Sequence, residues 1–322
     1  MGKPNTKPKK IIAQFDDFTH YGEIKSEDGI KRYYYKYKST DKTILAVLIS
    51  KKDSESEKLK KVLKCYKKTQ TSFSSFTLMY KGIQADLPCM DKLNRAKQTF
   101  ITFETFDYDL ELELKLRVLK KRRYEESELW GICFCAALFL NDLYLAKIVH
   151  GNLSLKTIFS KQNRIKFCLP YLLSMQNTQF RACKGQKKCY YSAEIRDLIK
   201  HQKLTELTKG GFDYDQIGHK MQKSDVYSLG LIVLELATLN VQGAWFDHQK
   251  GSMMLDVISA RLSEVKLRYS KEFYSVLREM LLNKENLRPS GKELCVLIWS
   301  QMRGKKTSRV DMKTVSIPDY LA

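Results

Sequence analysis

Carboxylates are missing from this chain where a metal or a proton would need them. It sets 36 Asp and Glu against 57 Lys and Arg, a formal net charge of +21. From Leu143 to Ala193, a span of 51 residues, there is no acid at all. A hard divalent cation such as Mg²⁺ needs anionic oxygen ligands, so no shift of register places a carboxylate-bound metal there. The same span carries nine positive charges: Lys147, Lys156, Lys161, Arg164, Lys166, Arg181, Lys184, Lys187 and Lys188.

Other absences narrow the class further. The eight cysteines include no CxxC pair and no neighbouring His cluster, which argues against structural zinc. The opening MGKPNTKPKK has no apolar h-region, so no secretory signal is read there, and reduced thiols in an intracellular, cytoplasmic protein are expected. The most apolar run, Leu129 to Val149, is interrupted by Asn141, Asp142 and Lys147, short of a clean membrane span of about 20 residues. It predicts a buried core helix. No arginine-glycine or aromatic-interleaved basic repeat occurs, so nucleic acid is not an expected partner. The positive charge favours anionic partners, or else is a solvated Lys-rich surface.

What is present divides the chain. Residues 1–18 form a basic arm. Met1-Gly2 with Thr6, followed by Lys7, Lys9 and Lys10, fits a loose myristoylation pattern with a second basic signal, which opens a membrane surface as an alternative partner. Residues 19–106 are strand-rich: RYYYKYKS (Arg32 to Ser39) and TILAVLIS (Thr43 to Ser50) predict a hairpin, with apolar-alternating runs at Phe73 to Tyr80 and Thr99 to Phe106. Leu59, Val62, Leu63 and Tyr66 predict a helix over Glu55 to Lys68. Residues 107–303 are helical, over Leu112–Arg123, Glu125–Val149, Ser224–Leu239, Met253–Lys266 and Lys271–Leu282. Residues 304–322 are a polar tail. An α+β fold with a small β-rich lobe, a larger helical lobe and a ligand cleft between them is expected.

Four landmarks then stand in order: IVHGNLSLKTIF from Ile148, YYSAEI from Tyr190, KSDVYSLGLIVLELAT from Lys223 and NKENLRPS from Asn283. Together they resemble the catalytic loop, the close of the activation segment, the central helix and the late Arg of the eukaryotic protein kinase superfamily. The resemblance covers roughly residues 20–303 and implies a bilobal kinase-like fold. In it His150, Glu194, Asp225, Ser228, Gly230 and Arg288 hold structural positions, with Glu194 and Arg288 as an ion pair and Asp225 accepting backbone N–H groups.

The positions that phosphoryl transfer uses have changed. That chemistry needs a Lys on the third strand paired with a helix Glu, an Asp and an Asn for Mg²⁺, and an Asp as proton acceptor. The resemblance puts Leu48 in the Lys position, Asn152 in place of the base, Ser154 for the loop Lys, Thr157 for the metal-binding Asn and Leu169 for the metal-binding Asp. An amide cannot take the proton, and losing a general base removes ~10²–10⁴ in rate. With only Gly22 and Gly29 in the segment from Phe18 to Tyr35, no Gly-rich phosphate loop is present.

The expected protein is therefore a catalytically inactive pseudokinase, a scaffold or allosteric regulator, with no metal and no cofactor. It binds protein partners, acidic or phosphorylated, through the basic residues named above. His150-Gly151-Asn152 also resembles the loop in the pseudokinase domains of Janus kinases and of some plant receptor-like proteins, where nucleotide still binds, so metal-independent ATP binding stays open. The competing reading is a divergent active Ser/Thr-type kinase with relocated groups: Lys36 or Lys38 for phosphate, and Glu206, Asp213 or Asp215 as the acid.

Overall fold

Runs of β-branched and aromatic residues suit a pleated, half-buried surface, and the first part of the chain pairs them. The computed structural model describes residues 18–24, 31–40, 43–50, 76, 80–88, 97–147, 149–151, 153–168, 190–200, 219–241, 245–247 and 252–303. Five strands, β1 (Phe18–Ile24), β2 (Lys31–Tyr37), β3 (Thr43–Ser50), β4 (Tyr80–Pro88) and β5 (Lys97–Phe106), form one sheet in the order β1-β2-β3-β5-β4. The β1–β2, β2–β3 and β4–β5 pairs are antiparallel. Tyr35 and Ile44 face each other across β2 and β3 and are both buried. Ile101 and Phe103, two apart on β5 and so on one face, are fully buried as well. The first strand of the expected hairpin ends at Tyr37, earlier than expected, and leaves Lys38–Thr40 as turn. A strand occupies Tyr80–Pro88; of the alternating run Phe73 to Tyr80, all but Phe76, which is in a turn, and Tyr80 lies outside the described residues. The helix expected over Glu55 to Lys68 lies outside the described residues.

The chain is mixed α+β and divides into two compact units, passing from one to the other between Thr105 and Phe106. The second unit holds α1 (Leu110–Leu119), α2 (Glu126–Leu145), α3 (Ala193–Lys200), α4 (His219–Thr238), α5 (Leu255–Arg268), α6 (Lys271–Met280) and α7 (Gly291–Met302). It also holds a small antiparallel sheet of β6 (Tyr108–Asp109), β7 (Ile158–Lys161) and β8 (Arg164–Phe167).

Helices α2 and α4 are apolar on nearly all sides, which only a central position satisfies. Helix α2 packs against α4 and α7, and α4 also carries α5 and α6. Aromatic contacts fix these approaches: Trp130 meets Phe273 edge-on at 5.1 Å, Phe134 stacks on Trp299 at 5.5 Å and Phe139 stacks on Phe167 at 4.5 Å. Burying each Leu or Phe of this set contributes roughly 1.5–3 kcal/mol. Helix α2 is the one described helix long and apolar enough to cross a membrane, yet most of it is buried inside the protein.

Caps set the helix starts. Asp109 Oδ1 accepts from Leu112 N at the start of α1, and Ser270 Oγ from Phe273 N at the start of α6. Glu126, in the first turn of α2, accepts from both the backbone N–H and the hydroxyl of Ser270, which ties two helix starts together. Arg117 joins α1 to α2: it donates to both carboxylate oxygens of Glu128 and to Glu113, and lies 3.8 Å over the Tyr124 ring. Helix α7 opens on a reciprocal Ser290–Glu293 capping box.

Two glycines permit the closest approaches. A Cβ on Gly291 would stand 2.9 Å from the Asn141 backbone nitrogen, whereas one on Gly230 would stand 2.9 Å from Leu281 Cδ2. A side-chain end can yield and backbone cannot. Gly291→Ala is therefore expected to lower stability by about 2–3 kcal/mol and Gly230→Ala by about 1 kcal/mol, on the usual scale of overpacking. Urea unfolding of the two variants beside the parent checks the order.

Candidate functional site

Buried polar groups must find partners, and the first three turns of α4 place four of them, Lys223, Ser224, Asp225 and Ser228, on a largely buried helix. Three separate segments end on them. Asp225 accepts from the backbone N–H of His150 at Oδ2 and of Gly151 at Oδ1, each at 2.8 Å. Ser224 Oγ accepts from Ser192 N, and Ser228 donates to Tyr190 O at 2.8 Å. Lys223 donates its Nζ to the Arg288 carbonyl.

The 149–157 loop is fixed by these contacts and by its own. Gly151 sits at φ 67°, a left-handed conformation that glycine adopts without steric penalty. Its carbonyl accepts from Tyr191 OH at 2.8 Å. His150 is buried, with Nε2 at 3.0 Å from the Cys168 carbonyl, so a neutral ring carrying its proton on Nε2 completes that bond. Burial pushes the His150 imidazole down to about 4, the Cys168 bond opposing. Burial pushes Asp225 up to about 7, while the two N–H bonds pull the other way. Thr157 closes a 3-10 turn: Oγ1 accepts from Ser154 N and donates to Ser154 O, both at 2.9 Å.

Glu194, in the first turn of α3, meets Arg288 at 2.7 Å. Arg288 is fully buried and donates as well to the carbonyls of Lys223 and Leu282, with its guanidinium 4.9 Å from the Tyr227 ring. One side chain thus fastens α3, the start of α4 and the turn before α7. Gly230 lies on α4 one and a half turns past Asp225. Below it Glu235 is completely buried and accepts from Tyr190 OH and Trp245 Nε1.

The structure brings His150, Asp225, Glu194 and Arg288 to the two ends of this connected set. Leu48 is on β3, paired with Lys31 across to β2, and Lys36 on β2 pairs with Thr43. Ser154 and Thr157 belong to the 3-10 turn. Asn152, Leu169, Arg181, Lys184, Lys187 and Lys188 lie outside the described residues, as do Glu206, Asp213 and Asp215. Of the basic residues described, Lys147 and Arg164 are exposed, Lys161 and Lys166 half-buried. Lys156 stands 3.8 Å from Glu111 of α1, an acid from outside the acid-free span. Asp142, the last acid before that span, is pushed up to about 7 by burial, which leaves it near half-protonated at neutral pH.

Sequence reasoning did not single out Lys223, Ser192, Tyr191, Glu235 or Trp245. The available signal was the spacing of Ser224, Asp225 and Ser228 within an apolar helix, because such residues need partners brought from elsewhere. Among the described residues no group of three or more His, Cys, Asp or Glu could hold a metal ion. Cys133 and Cys135, two residues apart on α2, are pushed up to about 12 by burial, and thiols of that kind are inert. Comparison with family models and with curated proteins finds no match to this chain.

Two outcomes test the framework. Glu194→Ala leaves the buried Arg288 charge without its counter-ion and is expected to cost about 3 kcal/mol, read by urea unfolding. His150 binds its proton less readily when folded than when unfolded. The stability it contributes is therefore complete above about 6.5 and is lost as pH falls towards about 4. Unfolding free energy of the parent should drop more steeply between those pH values than that of His150→Gln; parallel slopes would assign no titration to this ring.

Proposed function

We propose that this chain is a protein-kinase-like domain of bilobal fold that does not transfer phosphoryl groups. It is a pseudokinase that works by binding, as a scaffold or allosteric regulator. The observation that carries the reading is the 149–157 loop. It is anchored by Asp225 through two backbone N–H groups, which supports the resemblance in its shape-keeping residues. Its Thr157 hydroxyl, where the metal-binding Asn of an active enzyme would stand, is engaged in closing the turn at Ser154. The five-stranded sheet preceding a helical unit, and the Glu194–Arg288 pair, support the same fold.

Chemistry is unsupported at each position that the reaction needs. Positioning and neutralising the transferred phosphate rest on a Lys, two metal ligands and a base. This chain offers Leu48, Thr157, Leu169 and Asn152 in their places. A basic stretch that carries no carboxylate of its own attracts anionic segments instead. Lys147, Lys161, Arg164 and Lys166 are the described residues to which an acidic or phosphorylated protein segment would be drawn, from an intracellular partner.

Thermal unfolding in ATP with and without Mg²⁺ tests the inactive half of this reading. A ligand at a hundred times its Kd stabilises by about 2.7 kcal/mol, several degrees for a domain of this size, and no Mg²⁺-dependent rise is expected. A rise that requires the metal would establish an active-type site. For the binding half, the affinity of a phosphorylated peptide should fall with added salt and fall again in Arg164→Glu/Lys166→Glu; affinity indifferent to both would remove the electrostatic role.

A further inference from the structure

A helix on a protein surface normally turns its polar side outward, and α1 does not. Its buried side is Leu110, Glu113, Leu114 and Arg117. On the opposite side Leu112, Leu116 and Leu119 are exposed to 47, 39 and 78%. At 3.6 residues per turn the three lie within an arc of about 60° and run for about 10 Å. Single exposed leucines are ordinary, but a row of them opposite a buried face is a contiguous patch. The row is followed directly by Lys120–Arg123, four exposed basic residues, and is flanked by the half-exposed Lys115, which pairs with Glu111 at 3.2 Å.

We propose that this ridge is a docking surface for an acidic amphipathic helix of a protein partner, whose leucines interdigitate with Leu112, Leu116 and Leu119 while its carboxylates meet Lys115 and Lys120–Arg123. Charge selects this occupant. A second copy of the chain would bring the same basic run and a net charge of +21, and like charges set against each other suppress that pairing. An anionic bilayer would meet the exposed Asp107 and Glu125 at either end of the helix and would take a broad apolar face. Three leucines in one file instead match the ridge that helix-to-helix packing uses. The proposal does not depend on the absence of catalysis.

The test uses the full chain and a fluorescent helical peptide of about 16 residues, long enough to hold a helix, with leucines at i, i+4, i+7 and glutamates flanking them. A scrambled peptide and vesicles rich in phosphatidylserine are the comparison probes. The expected result is saturable binding of the helical peptide alone, weakened at least tenfold in Leu116→Ser/Leu119→Ser. Lys120→Glu/Lys121→Glu should weaken it too and flatten its salt dependence, whereas Arg164→Glu/Lys166→Glu leaves it unchanged. All of these residues are at least partly solvent-exposed, and unaltered melting temperatures would show that the variants fold. Binding no tighter than the scrambled peptide's overturns the proposal. So does binding insensitive to the leucines, preference for the vesicles, or self-association that the leucine substitutions abolish.

Discussion

Two backbone N–H groups ending on one buried carboxylate hold the helical unit in register. Asp225 presents both oxygens to His150 and Gly151, each at 2.8 Å, and it can do so because α4 is locked at the centre of the core. If the carboxylate moved, the loop would lose these two backbone-amide anchors, and with them the placement of His150 against Cys168 and of Gly151 against Tyr191. The neighbouring residues of α4 extend the same logic to the segments at Ser192 and Arg288, so one helix end organises three stretches distant in sequence.

Burying charge in this way is not by itself stabilising, since desolvation offsets much of the attraction. Asp225 and Arg288 are nonetheless satisfied at every oriented group: Asp225 by two N–H donors, Arg288 by a carboxylate, three carbonyls and an aromatic face. What they supply is geometry. Apolar residues of the same volume would fill the space without dictating which loop sits where. That a chain with no carboxylate from Leu143 to Ala193 still keeps this arrangement means that the shape of the loop is maintained independently of any reaction there.

The parts of the fold that could be read from the sequence are those written in side chains. His150, Glu194, Asp225 and Arg288 stood in a recognisable order, and long apolar helices around Leu138 and Leu231 followed from their periodicity. Less visible were interactions whose acceptors are main-chain carbonyls, such as Lys223 on Arg288 and Tyr191 on Gly151, because no residue type announces them. Helix α7 was not among the expected helices, although Ser290 and Glu293 spell a capping box. The outward leucines of α1 were beyond reach for a different reason: LELELKLRVL places leucine on both sides of the helix, and only packing decides which side stays wet.

Helix α2 has one more implication, for how the protein is made. It leaves the ribosome well before either of the helices that cover it, α4 from His219 and α7 from Gly291. At about 5–20 residues per second, the stretch from Leu145 to Gly291 takes roughly 7–30 seconds to synthesise. Throughout that interval a helix whose most apolar stretch has a mean hydropathy of 1.4 lacks one or both of the two helices that pack most extensively against it. During that window the nascent chain exposes apolar surface of the kind that makes incompletely folded chains prone to aggregate.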